Sequence, residues 1–352
     1  MSRSAPVRAW PRLLLAVAAT LTAWGCEIEN PSAVTLPETN PLRLVRGAAY
    51  MVEVFANDYG NKIINAIGEG GTGAPSDPYS ILFFERNFTW LHEARVLAAY
   101  AIDRSEEEGD AEVLDLAHVW HGWIMVRLTE IWGAQPLGDF KIHPEEELFA
   151  TALADFEAAK NATVDSVRFA ARAGIARVNW ILGRDPVDTQ RLQAAIAAAQ
   201  QVLDEAPAFH FAPIPGRPTY LAAFTPAPGF EHIPIWTRDP SQPQGVKLID
   251  ADELRLIQAE ARLLMNDLPG AKQAVKSTAL LPINHVGLAG RDPEGDPLTA
   301  EEIDAFIDPM DAAQLMFVIE ELRRENFFTH GRRNFGPKED GTMFPLALPK
   351  GA

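Results

Sequence analysis

Residues 164–207 read VDSVRFAARAGIARVNWILGRDPVDTQRLQAAIAAAQQVLDEAP, and this stretch determines the fold class. It contains two segments of about 17 to 20 residues whose apolar and small residues recur at helical spacing. Only Arg184-Asp185-Pro186 separates the two segments, and so short a link folds one helix back along the other. The stretch therefore predicts an antiparallel helical hairpin.

Small residues mark the face on which this hairpin packs. Gly174, Ala195 and Ala198, with Pro207 after the second helix, lie where tetratricopeptide hairpins pack helix against helix, and the stretch resembles such a repeat. Residues 251–275 have the same form: a long helix, an NDLPG turn and a second helix. The two stretches do not share a clean repeat period, so a regular repeat array is not expected. We predict an all-α fold in which tetratricopeptide-like hairpins form a solenoid-like bundle with long irregular loop excursions.

Further helices are predicted on both sides of these hairpins. Residues 110–132 carry an apolar stripe, with Trp123 and Val126 lying off it, so this helix should be buried on more than one face. The other segments with helical spacing or helix-start signals are residues 42–58, 88–109, 144–162 and 310–329.

Three segments break the helical pattern and are predicted to be loop excursions. The central one, residues 208–248, is too rich in proline for a regular helix and too aromatic for simple disorder. The others are residues 60–88 and the more polar residues 284–299. Loops of such length inside a compact domain are often functional.

The N-terminus predicts export. Residues 1–25 combine basic residues with the apolar run LLLAVAATLTA, which is too short to span a bilayer as a mature helix. The only cysteine, Cys26, follows directly and is typical of a bacterial lipobox, although Ala23 stands where leucine is usual. We expect a lipidated arm over residues 26–41 and a single helical domain over 42–352; a plain secretory signal with a chance cysteine is the alternative.

Charge excludes some classes of partner. The net charge of −17 falls by three, to about −20, once Arg3, Arg8 and Arg12 leave with the signal peptide. Such an acidic chain is not expected to bind nucleic acid or to attach through a polybasic patch to anionic lipid.

Several stretches, in order along the chain, resemble the SusD/RagB family of surface nutrient-binding lipoproteins. They are the start CEIENPS (26–32), LAHVWHGWIMVRLTEIWGAQPL (116–137), ADELRLIQAEARLLMNDLPGAKQAV (251–275), LMFVIEELRRENFFTHGRRNF (315–335) and the closing MFPLALP (343–349). The chain is short for the family, and HGRRNF replaces the usual acidic-Gly-aromatic pattern.

The resemblance implies a helical scaffold that is lipid-anchored to the bacterial outer membrane and faces outside. It implies cooperation with a SusC-like TonB-dependent transporter in the uptake of an oligosaccharide or another nutrient, without catalysis and without a cofactor. In the family, ligand contacts come from the loop after the first helix and from the central excursion.

Residue types in those two regions provide the candidate ligand contacts. Sugars are bound by aromatic faces and by planar polar groups that reach hydroxyls. The candidates are Asp77, Tyr79, Phe83, Phe84, Arg86, Asn87, Tyr220, Phe230, His232, Trp236 and Arg238. Trp90, expected to open a helix, is interpreted as a core residue.

Other motifs are interpreted structurally. Gly68–Gly73 satisfies G-x-G-x-x-G, but Pro75 and Pro78 follow where a nucleotide-binding helix should begin, so we expect a loop rim. His118 and His121 are interpreted as satisfied core groups rather than metal ligands. The charges of EELRRENFF (320–328) are interpreted as ion pairs, since neighbouring carboxylates on one helix do not face each other across a cleft.

Two other functions stay open. The chain could be a helical-repeat scaffold that binds a protein or peptide partner without capturing a small molecule. It could also be a lipid-anchored hydrolase, although no G-x-S-x-G or H-E-x-x-H motif occurs.

Overall fold

The computed structural model describes residues 39–68, 78–139, 141–212, 248–278 and 299–327. Within these ranges, side chains are described except at 56–68, 78–85, 321 and 324–327. The described chain is almost entirely helical, with two very short strand pairs, which confirms the all-α prediction. The helices are α1 (Pro41–Gly68), α2 (Pro78–Glu108), α3 (Ala111–Trp132), α4 (Glu145–Ala159), α5 (Asp165–Arg184), α6 (Thr189–Glu205), α7 (Ala251–Leu264), α8 (Leu268–Lys276), α9 (Ala300–Ile307) and α10 (Ala312–Phe327).

Successive helices pack in pairs and build two layers. Each helix from α1 to α8 contacts the next one along the chain, as helical hairpins do. Contacts also join every second helix from α1 to α7, namely α1 with α3, α3 with α5 and α5 with α7, and α7 contacts α10. These five helices form the inner layer, and α2, α4, α6 and α8 pack on them as the outer layer. This arrangement confirms the predicted tetratricopeptide-like hairpins.

Aspartates start several of these helices. The carboxylates of Asp110, Asp188, Asp250 and Asp267 accept hydrogen bonds from backbone N–H groups in the first turns of α3, α6, α7 and α8. An N-terminal cap of this kind stabilises a helix by about 1 kcal/mol, because the first N–H groups have no partner within the helix. Because a capping aspartate is recognisable in the sequence, the starts of these four helices are predicted close to where the structure has them.

One phenylalanine fixes the packing of α4 between two inner helices. Phe156 of α4 is fully buried and meets the ring of Trp123 of α3 edge-on, with ring centroids 5.4 Å apart. Its ring lies over Gly122 of α3 and Gly174 of α5, where a Cβ atom would collide with it. The packing role predicted for Gly174 is thus confirmed.

Two strand pairs close the irregular segments. In β1 (Gln135–Pro136) and β2 (Ile142–His143), Gln135 pairs antiparallel with His143. In β3 (His210–Phe211) and β4 (Ile249–Asp250), His210 pairs with Asp250, so the two ends of the predicted central excursion meet. Residues 213–247 between them lie outside the described residues.

Two sequence predictions need correction. The loop predicted over residues 60–88 is much shorter, since α1 continues to Gly68 and α2 begins at Pro78. Proline breaks a helix interior but suits its first turn, where its missing N–H would have no partner, so Pro78 marks a start rather than a break.

Helix α9 was missed. Thr299 and Glu302 form a capping box, in which each side chain bonds the other residue's backbone N–H. The predicted excursion of 284–299 therefore ends at this cap, and its other residues lie outside the described part of the chain. In the described residues, no helix is both long and apolar enough to cross a membrane.

Candidate ligand-binding surface

The described part of the first candidate region lies on α2. Arg86 is exposed, and its guanidinium carbon stands 4.7 Å from the ring centroid of Trp90, one turn further along the helix. Trp90 is half-buried rather than a core residue, and it lies well inside α2 rather than at its start. The pair places hydrogen-bond donors on an aromatic support, a combination suited to hydroxylated or anionic groups.

The other side of the same helix is packed against α3. Asn87 has no exposed surface, so in this structure it lies beneath the candidate surface and not on it. The neighbouring Phe88 is buried between His92, with ring centroids 4.3 Å apart, and Trp132 at 5.2 Å. This apolar contact fixes the rotation of α2 about its axis and thereby the outward direction of Arg86.

Two side chains of α2 also hold the turn that follows α3. His92 Nε2 lies 3.0 Å from Gln135 Oε1, and Arg95 Nη2 donates to the Leu137 carbonyl oxygen at 2.8 Å. Burial lowers the pKa of His92 to about 4, and the positive charge of Arg95 acts in the same direction, against the hydrogen bond to Gln135. His92 is therefore neutral at pH 7, and its Nε2–H donates to Gln135.

The structure describes few of the other predicted contacts. Tyr79, Phe83 and Phe84 belong to the first turns of α2, but their side chains lie outside the described residues. The same holds for the whole of Asp77, Tyr220, Phe230, His232, Trp236 and Arg238, and for the predicted lipidation site Cys26. Of the candidates, the structure describes the side chains of Arg86 and Asn87, and it exposes the first and buries the second.

The paired histidines of α3 share a single carboxylate. Asp155 of α4 contacts Nδ1 of His118 at 2.9 Å through one oxygen and Nδ1 of His121 at 2.7 Å through the other. Burial acts to raise the pKa of Asp155, but the two histidine hydrogen bonds outweigh it and lower that pKa below its ordinary value. These contacts confirm that both histidines have hydrogen-bond partners, although both side chains are half-buried rather than in the core. In the described ranges, no group of three or more potential ligands could hold a metal ion.

Buried charges link the inner helices, and the sequence interpretation missed most of them. Glu130 of α3, with no exposed surface, contacts Arg127 at 3.2 Å and Arg177 of α5 at 2.6 Å. Arg177 also pairs with Glu253 of α7. The available signal was a charged residue inside an otherwise apolar or alanine-rich helix, since such residues are buried only when paired.

A second buried group continues this chain of charges toward α10. Glu260 of α7 pairs with Arg323 and lies 3.6 Å from Arg184. Both guanidinium groups stand over the ring of Trp180, Arg323 at 4.2 Å and Arg184 at 5.2 Å from its centroid. The pairing of Arg323 confirms the ion-pair interpretation for that residue of EELRRENFF.

Comparison with known proteins gives a likeness in solved structures alone. No protein-family model matches the sequence, and no curated protein does. A crystal structure of a SusD/RagB family protein from Bacteroides thetaiotaomicron resembles this chain with a TM-score of 0.49 and 11% sequence identity. The match covers 84% of this chain and 85% of that chain. A likeness at this level carries no conclusion about function.

Proposed function

We propose that this chain is a nutrient-binding lipoprotein of the bacterial outer membrane. Lipidation at Cys26 anchors it, facing outside, and it cooperates with a SusC-like TonB-dependent transporter in the uptake of a nutrient, which we expect to be an oligosaccharide. In this role it is a binding protein without a cofactor, and it performs no catalysis.

The observation that carries the proposal is the ordered set of SusD/RagB-like stretches in the sequence. Three of them coincide with helices of the structure. Residues 116–137 form most of α3 and the turn held by His92 and Arg95, residues 251–275 form α7 and α8, and α10 contains the start of 315–335. Helices α7, α8 and α10 contact one another, and α3 is joined to α7 through α5. A resemblance that reappears as connected elements supports a shared scaffold better than isolated motifs do.

For the ligand, we propose that the surface carrying Arg86 and Trp90 is one part of the site. The aromatic and polar candidates at Asp77, Tyr79, Phe83 and Phe84 are adjacent to it in sequence, and Tyr220, Phe230, Trp236 and Arg238 are proposed to contribute from the central excursion. Asn87 would support this surface from below, since it is fully buried.

Copurification tests the transporter role. The full-length chain is extracted from its native membrane in mild detergent and captured by a C-terminal tag, and the bound proteins are identified by mass spectrometry. A TonB-dependent β-barrel in stoichiometric amount is the expected result. Recovery of the chain alone, or with soluble proteins only, would contradict cooperation with a transporter.

Ligand capture is tested on the purified chain without its signal peptide and Cys26. Binding of neutral and acidic oligosaccharides is measured by calorimetry for the wild type and for Arg86→Ala and Trp90→Ala. Loss of a hot-spot contact should weaken binding by about tenfold or more. Tyr100→Ala provides the matched control, because Tyr100 is an exposed aromatic residue further along α2. An equal effect of all three variants would remove Arg86 and Trp90 from the site.

One observation favours the alternative of a scaffold for a protein or peptide partner. A groove of about 590 Å³ runs between α4 and α6 over α5. Ile175, Ala197 and Ala198 provide apolar lining, and Arg172 and Glu205 form an ion pair at 2.7 Å beside it. A mixed apolar and charged groove between helices suits an extended peptide. Stoichiometric capture of one soluble protein in the experiment above would favour this function.

A further inference from the structure

Arg95 lies on the side of α2 opposite Arg86. Nine positions, or about two and a half turns of helix, separate the two residues, so their side chains leave α2 in opposite directions. The Arg95 side chain is half-buried against the turn that follows α3, and its Nη2 donates to the Leu137 carbonyl oxygen at 2.8 Å. We call Arg95 and the turn residues 135–138 the Arg95 corner. It is separate from the surface that carries Arg86.

The guanidinium of Arg95 has no carboxylate partner within the described residues. Its bond to the Leu137 carbonyl oxygen is the one contact of this kind that the described chain provides. The acidic residue of the turn, Asp139, instead accepts from His143 at 3.1 Å. The corner therefore holds a cation to which the turn offers a backbone carbonyl and no counter-charge.

This arrangement differs from that of the next arginine on α2. Arg104 pairs with Glu107 and Glu108, each at 2.7 Å. Burial lowers the pKa of Arg95, and no carboxylate opposes that effect. An arginine nevertheless stays charged at pH 7, and a partly buried charge without a partner is unfavourable. A bound anion would remove this cost.

Two buried hydrogen-bond donors at the corner also lack an acceptor in the described structure. They are Nε of Arg95 and Nε1 of Trp132, the residue that ends α3 directly before the turn. The nearby amide of Gln135 is already used, since His92 donates to its oxygen and its nitrogen donates to the Gly133 carbonyl oxygen at 3.4 Å. Donors without acceptors favour a ligand that brings acceptors.

The guanidinium is accessible from the side of Gly138. The backbone of Gly138 has a φ of 99°, which favours glycine, so the turn carries no side chain at this point. Among the described residues beyond its chain neighbours, a Cβ atom there would meet only Arg95 Nη2, at 3.9 Å. Arg95 Nη1 has no bond to the described residues and is not one of the buried atoms. N–H groups of the guanidinium therefore face an open side of the corner.

These features favour a carboxylate group as the ligand. A carboxylate carries one negative charge and two oxygens, and it matches the planar fork of a guanidinium with two parallel hydrogen bonds. A hydroxyl group would accept from one N–H but would leave the charge of Arg95 uncompensated. A phosphate carries up to two negative charges, whereas the described part of the corner offers a single guanidinium.

We propose that the Arg95 corner binds the carboxylate group of a small anionic molecule, such as a uronate or the C-terminus of a short peptide. Arg95 donates to the two carboxylate oxygens from Nη1 and from the second N–H of Nη2, while Nη2 keeps its bond to Leu137. Because one half-buried arginine carries the contact, the dissociation constant is expected to be on the order of millimolar. This site goes beyond the proposed function, and it needs neither the transporter nor the α2 surface.

Arginine side-chain NMR tests the site on the chain without its signal peptide and Cys26. The protein is labelled with ¹⁵N-arginine, and the Nε–H signal of Arg95 is identified by its absence in Arg95→Lys. The probes are D-galacturonate and N-acetyl-L-alanine, each titrated at pH 7 and constant ionic strength to about 50 mM, with D-galactose and inorganic phosphate as comparisons. A carboxylate probe should shift the Arg95 signal saturably. Galactose should not, and phosphate should bind more weakly.

Two variants of α2 locate the binding by saturation-transfer difference NMR. Arg95→Gln keeps an N–H donor for the Leu137 carbonyl oxygen but removes the charge, and the dissociation constant of the carboxylate probe should rise at least tenfold. Arg104→Gln is the matched control and should change nothing, because Arg104 is already paired. Circular dichroism verifies folding.

A second measurement on the wild type avoids any variant that does not fold. Phenylglyoxal modifies accessible arginines, and mass spectrometry measures the modification of the peptide that contains Arg95. A bound carboxylate probe should protect Arg95 but not Arg104. Equal modification of Arg95 with and without probe would contradict the site.

The outcomes separate this proposal from the proposed function. A saturable shift with either carboxylate supports the corner, and the probe that binds identifies the source as an acidic sugar or a peptide C-terminus. Absence of a shift with both, tighter binding of phosphate, or unchanged affinity in folded Arg95→Gln overturns the corner, whatever copurifies with the chain. Binding that is lost in Arg86→Ala but kept in Arg95→Gln places the ligand on the α2 surface and also overturns it.

Discussion

At the residue scale, Glu130 is the shared ion-pair partner of two buried arginines in the inner layer. Its two oxygens are divided between Arg127 at 3.2 Å and Arg177 at 2.6 Å, and none of the three residues is more than 1% exposed. Moving charges out of water is costly, and only close pairing compensates for it. The buried carboxylate therefore fixes which faces of α3 and α5 can meet.

Replacing the Glu130 carboxylate should strongly destabilise the protein. Glu130→Gln keeps the shape but leaves Arg127 and Arg177 without their shared partner, and the free energy of unfolding should fall by about 3 to 5 kcal/mol. Urea denaturation followed by circular dichroism measures it. Glu157→Gln is the control, since Glu157 pairs with Lys160 at 2.6 Å on the surface and should matter by less than about 1 kcal/mol. Similar losses in the two variants would contradict a structural role for the buried pairing.

His92 should make stability depend on pH. Its pKa is about 4 in the folded chain and 6.5 in the unfolded chain, so the unfolded state binds the extra proton first as the pH falls. Stability is then complete above pH 6.5 and decreases between pH 6.5 and 4, by at most about 3 kcal/mol. His92→Gln should remove this part of the profile in urea titrations at successive pH values.

A second titrating group, Asp155, affects stability in a lower pH range than His92 does, so the two contributions can be separated. The pKa of Asp155 is lowered in the folded chain, so its contribution is present above its ordinary value of 3.8 and is lost only below it. A loss between pH 6.5 and 4 that persists unchanged in His92→Gln would therefore have another origin.

At the scale of elements, two glycines in the inner layer should respond oppositely to alanine. A Cβ at Gly174 would overlap the ring of Phe156, so Gly174→Ala should destabilise the chain by about 1 to 3 kcal/mol. At Gly47 in α1 a Cβ would meet only Leu97, at an ordinary 3.5 Å. Gly47→Ala should thus stabilise by about 0.5 to 1 kcal/mol, because alanine favours a helix interior.

Thermal unfolding of the two variants beside the wild type decides this prediction. Adding Phe156→Leu to Gly174→Ala should cost less than the two single changes together, since the smaller side chain gives room to the new methyl group. A stabilising Gly174→Ala would show that α4 and α5 are not held at close distance by this ring.

Some of these helices were predicted from the sequence more accurately than others. Helices α3 to α8 were predicted closely, because apolar spacing coincides with capping aspartates such as Asp188 and Asp267. Pro78 was misinterpreted because a proline favours either a break or a start, and only the packing of α1 on α2 distinguishes the two. For α9, the Thr299–Glu302 capping box was visible, but the helix is short and follows a polar stretch.

The candidate site was less predictable than the fold. Residue type and region selected both Arg86 and Asn87, yet one is exposed and the other fully buried, because neighbouring positions on a helix face different directions. The surroundings of Arg95 depend on the distant turn after α3, where Leu137 offers it a carbonyl oxygen and Asp139 bonds His143 instead, and no local pattern contains that information. Local signals thus predict elements, whereas sites depend on contacts between distant residues.

At the scale of the whole molecule, net charge is the dominant feature. A chain with a net charge of −17 repels itself, and this repulsion extends farther at low ionic strength. The Debye length falls from about 30 Å at 0.01 M salt to about 8 Å at 0.15 M. Exposed ion pairs such as Arg104–Glu107, at 2.7 Å, lose strength in the same change, but each contributes little.

We therefore expect salt to stabilise the protein. Raising sodium chloride from about 0.01 to 0.15 M at pH 7.5 should raise Tm by a few degrees, as differential scanning calorimetry can measure. At pH 5, close to the sequence pI of about 4.9, the same addition should have almost no effect, because the net charge is then near zero. A Tm that falls with salt at pH 7.5 would mean that local ion pairs outweigh the repulsion. In that case the surface charges of this chain stabilise the two-layer fold, and the acidic excess would need another explanation.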